Sequence, residues 1–146
     1  MLSDMVRGVF IMLWSCFAFV TNAQTKADFV VASDGTGDFK TVQEAINAVP
    51  DFRKNQTTIF IRPGIYKEKL VIAKSKSNLR IFAEDALSTR ITFDDYASKK
   101  NSFGEEMGTT GSTSVYIFAD DFVAENITFE NSSGPVVFGQ TRSWRG

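Results

Sequence analysis

Six short apolar runs follow one another between Thr57 and Phe129, with turn residues between them. They are Thr58–Ile61, Leu70–Ile72, Leu79–Phe82, Arg90–Phe93, Val115–Phe118 and Asn126–Phe129, each rich in β-branched or aromatic side chains. Several alternate. Ile59 and Ile61, or Ile91 and Phe93, fall on one face of an extended chain, where side chains repeat every second residue. Arg62-Pro63-Gly64, Lys76-Ser77-Asn78, Glu84-Asp85, Asp94-Asp95 and Asp120-Asp121 supply the breaks. No helical pattern of comparable strength follows Pro50, so this part of the chain is expected to be all-β.

Spacing narrows the architecture. Ile59 to Leu79 is a step of about twenty residues that holds two of these runs, the period of a solenoid whose coils feed separate parallel sheets. A sandwich built of hairpins calls for Asn-Gly or Asp-Gly turns between its strands. The one Asp-Gly, Asp34-Gly35, precedes every run. The expected fold is therefore a parallel β-helix of about three coils, one of them swollen by a loop.

Such a solenoid exposes an apolar end unless something closes it. Asp34 to Val49 reads DGTGDFKTVQEAINAV. Thr41 and Glu44 form the T-x-x-E pattern of a capping box, in which each side chain takes the other's free backbone N–H. Val42, Ala45, Ile46 and Val49 then lie on one helical face, and Pro50 stops the helix. A short N-terminal α-helix is expected to lay that face over the first coil. Asp34 to Asp38 lacks the lysine of a phosphate loop and reads as a turn.

Absent residue types exclude whole chemistries. The chain has no histidine, so neither a Ser-His-Asp nor a Cys-His centre can be built from it. Cys16 is the lone cysteine, and the net charge of −1 gives no electrostatic case for nucleic acid. Arg7, the apolar Val9–Val20 and Thr21-Asn22-Ala23 have the pattern of a secretory signal peptide over residues 1–23. The apolar run is too short for the roughly 20 residues of a spanning helix, so no stable membrane insertion is expected after cleavage. Secretion to the periplasm, cell surface or medium follows. Leu13-Trp14-Ser15-Cys16 offers a weaker alternative, lipid attachment at Cys16.

One series of motifs points further. Asp34-Gly35-x-Gly37-Asp38-Phe39-x-Thr41-Val42-Gln43-Glu44-Ala45-Ile46 is followed by Ile61-x-Pro63-Gly64-x-Tyr66-x-Glu68 and Thr109-x-x-Ser112. Phe122-x-Ala124-x-Asn126-Ile127-Thr128-Phe129-x-Asn131 and Gly134-Pro135 complete it. In this order and spacing the chain resembles the N-terminal portion of the pectinesterases (pectin methylesterases). The resemblance implies a right-handed parallel β-helix acting on pectin (homogalacturonan), hydrolysing its methyl esters to free carboxylate and methanol. It implies no metal or organic cofactor and a monomer when complete. It also implies that one aspartate attacks the ester, a second serves as acid and base, glutamines hold the oxyanion and an arginine orients the nucleophile. Two carboxylates divide those roles only if their surroundings push their pKa values apart.

The family's catalytic aspartates lie beyond the Gly-Pro reached here at Pro135, so no residue of this chain is assigned as nucleophile or general acid. Thr109 matches the family's substrate-cleft threonine. Gln140 stands where the first oxyanion glutamine is expected, yet the chain continues Thr141-Arg142-Ser143-Trp144-Arg145-Gly146 and not as an apolar strand. Residues 24–137 are thus expected to form the N-terminal part of the β-helix domain. Residues 138–146 form a divergent tail attributed to truncation or a frameshift, leaving an inactive fragment. Two alternatives stay open: a non-catalytic β-helical carbohydrate-binding protein, and another β-helical polysaccharide enzyme such as a pectate lyase. Asp94-Asp95 and Asp120-Asp121 are expected as solvated turns, and the lysines from Lys67 to Lys76 on the outer face of the first coil. Asn55, Asn126 and Asn131 head glycosylation acceptor patterns.

Overall fold

The computed structural model describes residues 26–134. The expected signal segment 1–23, Cys16, Gln140 and the 138–146 tail lie outside them. Strand β1 (Phe29–Val31) leads to helix α1 (Val42–Ala48), then to β2 (Thr57–Ile61), β3 (Gly64–Lys67), β4 (Leu70–Ile72), β5 (Leu79–Ala83) and β6 (Thr89–Phe93). A one-turn helix α2 (Gly108–Gly111) precedes β7 (Val115–Ile117), β8 (Val123–Glu125) and β9 (Thr128–Asn131). These strands pair in parallel and form three sheets, ordered β1-β2-β5-β8, β3-β6-β9 and β4-β7. One coil is β2-β3-β4, the next β5-β6-β7, and β8-β9 begins a third. This is a parallel β-helix.

The coils stack in register. Thr57 faces Leu79, Ile59 faces Ile81 and Ile61 faces Ala83 across the first sheet, Tyr66 faces Ile91 across the second, and Leu70 faces Val115 across the third. Ile59, Ile61, Leu70, Ile72, Leu79 and Ile81 are completely buried, each worth about 1.5–3 kcal/mol relative to exposure. The intervening side chains point outward. Phe60 and Phe82 lie 5.3 Å apart there, Arg80 sits 4.4 Å over the Phe82 ring, and its guanidinium takes the Glu125 carboxylate with two bonds of 3.0 and 2.6 Å.

The first coil carries three strands where the apolar pattern showed two runs. β3 escapes notice because only Tyr66 of its four residues is buried, and a single inward side chain shows no alternation. β1 and β8 have three residues each. The last run starts at Thr128 and not at Asn126, because Asn126 adopts a left-handed φ of 56° and its Nδ2 donates to the Ala83 carbonyl at 3.2 Å. It makes a corner, a conformation that asparagine tolerates better than most residues.

Helix α1 caps the first coil as its pattern requires. Val42, Ala45 and Ile46 are wholly buried and Val49 nearly so. The capping box is formed, with Glu44 N–H on Thr41 Oγ1 and Thr41 N–H on the Glu44 carboxylate, both 3.2 Å. A second acid, distant in sequence, completes the N-terminus: Val42 and Gln43 N–H donate to the two oxygens of Glu68 at 2.8 Å each. At the other end Lys76 Nζ donates to the carbonyls of Asn47 and Val49. The Gln43 amide both gives to and takes from the Val71 backbone, at 3.1 and 2.8 Å. Gly37 lets the preceding turn fold back on β1, since a Cβ there would lie 2.6 Å from the Val30 carbonyl oxygen.

A helix of seven residues is not stable by itself in water, so the Glu68 contacts hold it in place. Glu68→Ala is expected to lower unfolding free energy by about 2–4 kcal/mol, read from urea denaturation. Amide exchange in α1 should rise more than in β2 or β5. Unchanged exchange in α1 would contradict this anchoring role.

Candidate functional site

Between β6 and β7 the chain leaves the coil and returns twenty residues later, over positions 94–114. The base of this excursion is an ionic cluster. Asp95 is buried, 3% exposed. One of its carboxylate oxygens meets Lys69 Nζ and the other meets Lys99 Nζ at 2.7 Å. Asp94 pairs with Lys67 at 3.2 Å and stands 3.7 Å from Lys99. The Phe93 ring lies 5.3 Å from Lys69 Nζ and 5.9 Å from Lys99 Nζ. From the next coil, Asn131 Nδ2 donates to the Asp95 carbonyl at 3.0 Å.

Two expectations are corrected here. Asp95 is no solvated turn residue: it is buried, because two ammonium groups compensate the charge that burial would otherwise disfavour. The lysines of the first coil do not all face water either. Lys67 does, but Lys69 Nζ reaches the Gly111 carbonyl at 2.9 Å and Lys76 binds the end of α1. Asp120 and Asp121 do form an exposed turn, with Asp121 at φ 55°.

Above the cluster the excursion is tightly wired. Asn101 Oδ1 accepts the N–H of Phe103 and of Glu105 at 2.9 and 3.1 Å, and Gly104 takes the left-handed φ of 82° that this turn needs. Met107 N–H reaches the Lys99 carbonyl and Gly108 N–H the Ala97 carbonyl, both at 2.9 Å. These bonds deliver the chain into α2, where Thr109 stands exposed. Its carbonyl accepts the hydroxyls of Ser112 and Thr113 at 3.1 and 3.3 Å, and the Tyr116 hydroxyl donates to the neighbouring Thr110 carbonyl. The T-x-x-S pair thus closes into one rigid turn that offers the Thr109 side chain to solvent. A hydroxyl so held can donate to or accept from a sugar oxygen. Gln140 lies outside the described residues, so the two candidate site residues are not compared in space.

Lys99 and Glu68 had no site role in the sequence reading, and Lys69 stood there among the outer-face lysines of the first coil, for which gripping polygalacturonate carboxylates was a secondary role. The spacing of Asp95 and Lys99, an i,i+4 pair, was a usable local signal. For Lys69 there was none. All three acceptor asparagines are exposed, and Asn126 and Asn131 also donate their Nδ2 to internal carbonyls.

Comparison with known proteins agrees with the parallel β-helix. A family profile described as Pectinesterase matches residues 28–140. The chain is 40% identical over 114 residues to "Pectinesterase 5" of Arabidopsis thaliana, an alignment covering 78% of this chain and 18% of that relative. Its fold is similar to that of the solved pectin methylesterase from carrot, with TM-score 0.63, 37% identity, and 75% of this chain matched to 33% of the other. It is similar also to a pectin methylesterase variant crystallised with a hexasaccharide, with TM-score 0.67, 32% identity, and coverage of 74% and 31%. The chain therefore spans under a fifth of that curated plant relative and about a third of the solved chains.

The ionic base dictates a pH window. Lys69 first, then Lys99, hold the Asp95 carboxyl below the ordinary carboxylate range, and Lys67 does the same for Asp94. Asp95 in turn raises Lys99. A lowered acid contributes stability above about pH 4 that is lost as pH falls, and a raised lysine contributes below about pH 10.4 and is lost as pH rises. Amide protection factors across 97–112, the observed rates divided into the intrinsic ones, should therefore be largest between those limits and fall on both sides. A profile that shows only the pH dependence of intrinsic chemical exchange would contradict the clamp.

Proposed function

Since this chain belongs to the pectinesterase family, we propose that it serves the hydrolysis of pectin methyl esters, in which water converts the ester to a free carboxylate and methanol. The observation that carries this reading is the match over residues 28–140 together with the exposed Thr109 turn. Thr109 is the contact to homogalacturonan, and its hydroxyl hydrogen-bonds a galacturonate oxygen. Residues 1–23 act as the export signal, and the site of action is outside the cell or at its surface. Gln140 is the candidate oxyanion donor.

Seven aspartates of residues 26–134 already have partners. Asp28, Asp34, Asp38, Asp51 and Asp85 hold hydroxyls, backbone N–H groups or Lys76, and Asp94 and Asp95 hold lysines. A nucleophilic carboxylate needs an open approach to the ester carbon, and a general acid needs a raised pKa. Asp28, Asp34, Asp51, Asp85, Asp94 and Asp95 all have lowered pKa values, each through the hydrogen bonds just named or to neighbouring backbone. This favours a second reading for the chain taken alone, a pectin-binding β-helix without turnover.

Under this second reading the whole chain is retained on highly methylesterified pectin and releases no methanol from it. Thr109→Val should weaken binding of a methylesterified hexagalacturonate by about two- to twelvefold, the loss of one hydrogen bond. Methanol release at a rate proportional to enzyme would overturn the absence of turnover. No retention on pectin at any degree of esterification would overturn the substrate.

A further inference from the structure

The Lys69 ammonium group touches both ends of the 94–114 excursion. It pairs with the buried carboxylate of Asp95, where the excursion leaves the coil, and donates at 2.9 Å to the carbonyl of Gly111, where the turn bearing Thr109 ends. Its stem rises from the first coil between β3 and β4, with the nitrogen near the Phe93 ring. Lys99 shares Asp95 but belongs to the excursion itself, so it cannot tie the turn to the coil.

We propose that Lys69 is a positioning residue for substrate, fixing the Thr109 turn by bridging Asp95 and Gly111. The proposal rests on the assignment of Thr109 as a pectin contact. Its physical content is a closed loop: the coil fixes Lys69, Lys69 fixes the α2 carbonyl, and α2 fixes the direction in which the Thr109 hydroxyl points. A charge-assisted hydrogen bond from a half-buried ammonium is among the stronger tethers available to a loop. A merely stabilising ion pair would raise the melting temperature without coupling to Thr109. A positioning residue must lose its effect once Thr109 is gone.

The test uses the full chain with a partly methylesterified hexagalacturonate, read by calorimetric titration and by amide exchange. Lys69→Met should speed exchange across 97–112 while leaving α1 unchanged. It should also raise Kd about as much as Thr109→Val does, roughly fivefold. The double variant Lys69→Met/Thr109→Val should bind no more weakly than either single one, because the two act through one contact. Lys69→Arg, which keeps a charged donor, should restore most of the affinity. Lys99→Met, which removes a partner of Asp95 but not the Gly111 tether, should keep Kd within about twofold.

Additive effects of Lys69→Met and Thr109→Val overturn the proposal, as does unchanged exchange across 97–112. If Thr109→Val leaves Kd unaltered while Lys69→Met still loosens 97–112, the substrate assignment of Thr109 falls and the tether itself stands. Should Lys69→Met fail to fold, Lys69→Arg and Lys99→Met decide, since the proposal requires tight binding from both.

Discussion

The carboxylate of Glu68 sits where the first coil meets its cap, taking the N–H groups of Val42 and Gln43 on its two oxygens. Helix N-terminal N–H groups have no partner within the helix, and the aligned peptide dipoles leave that end positive. An acid from the coil therefore both satisfies and attracts it. Lys76 meets the opposite end with the opposite charge. A segment too short to be helical alone is in this way held across the mouth of the β-helix, and the Ile59–Ile81 and Leu70–Val115 pairs pack in and against the core beneath it. The cap and the coil stabilise one another: without the helix the apolar end is open, and without the coil the helix has no reason to form.

Stacking in register makes the rest of the molecule permissive. Each strand needs only its neighbours above and below, so a corner can be lengthened without disturbing the ladders on either side. The 94–114 excursion uses that freedom at the passage from β6 to β7, which belong to different sheets. Such loops carry function because a rigid scaffold holds their feet. Here the feet are tied by Asp95, Asn131 and Lys69, and the tip is held by Asn101. The scaffold and the candidate site therefore meet in one cluster of charges under an exposed threonine.

Wherever the determining contact is local, the sequence was readable. The Thr41–Glu44 box, the Val42/Ala45/Ile46/Val49 face and the breaks after Ile61 and Ile72 all depend on residues within one or two turns of each other, and each stands in the structure as expected. The period of about twenty residues was enough to give a parallel solenoid, and the motif series was enough to give its family. Legibility failed at β3 and β8, where too few side chains point inward to make a pattern. It failed again at Asp95, whose neighbours in sequence read as an ordinary polar turn.

By itself, then, the sequence determined the coil repeat, the capping helix, the absence of histidine chemistry from these residues, and the family to which the chain belongs. Those properties follow from periodicity, from capping chemistry and from residue types present or absent. Only the tertiary structure decided that Asp95 is buried, that Glu68 holds α1, and that Lys69 reaches Gly111 from 42 positions away. The physical reason is common to all three. The free energy of a buried or half-buried charge is set by the partner that arrives beside it, and Glu68, Lys69 and Asp95 each find one on another coil or on the capping helix, at least 25 positions away in sequence.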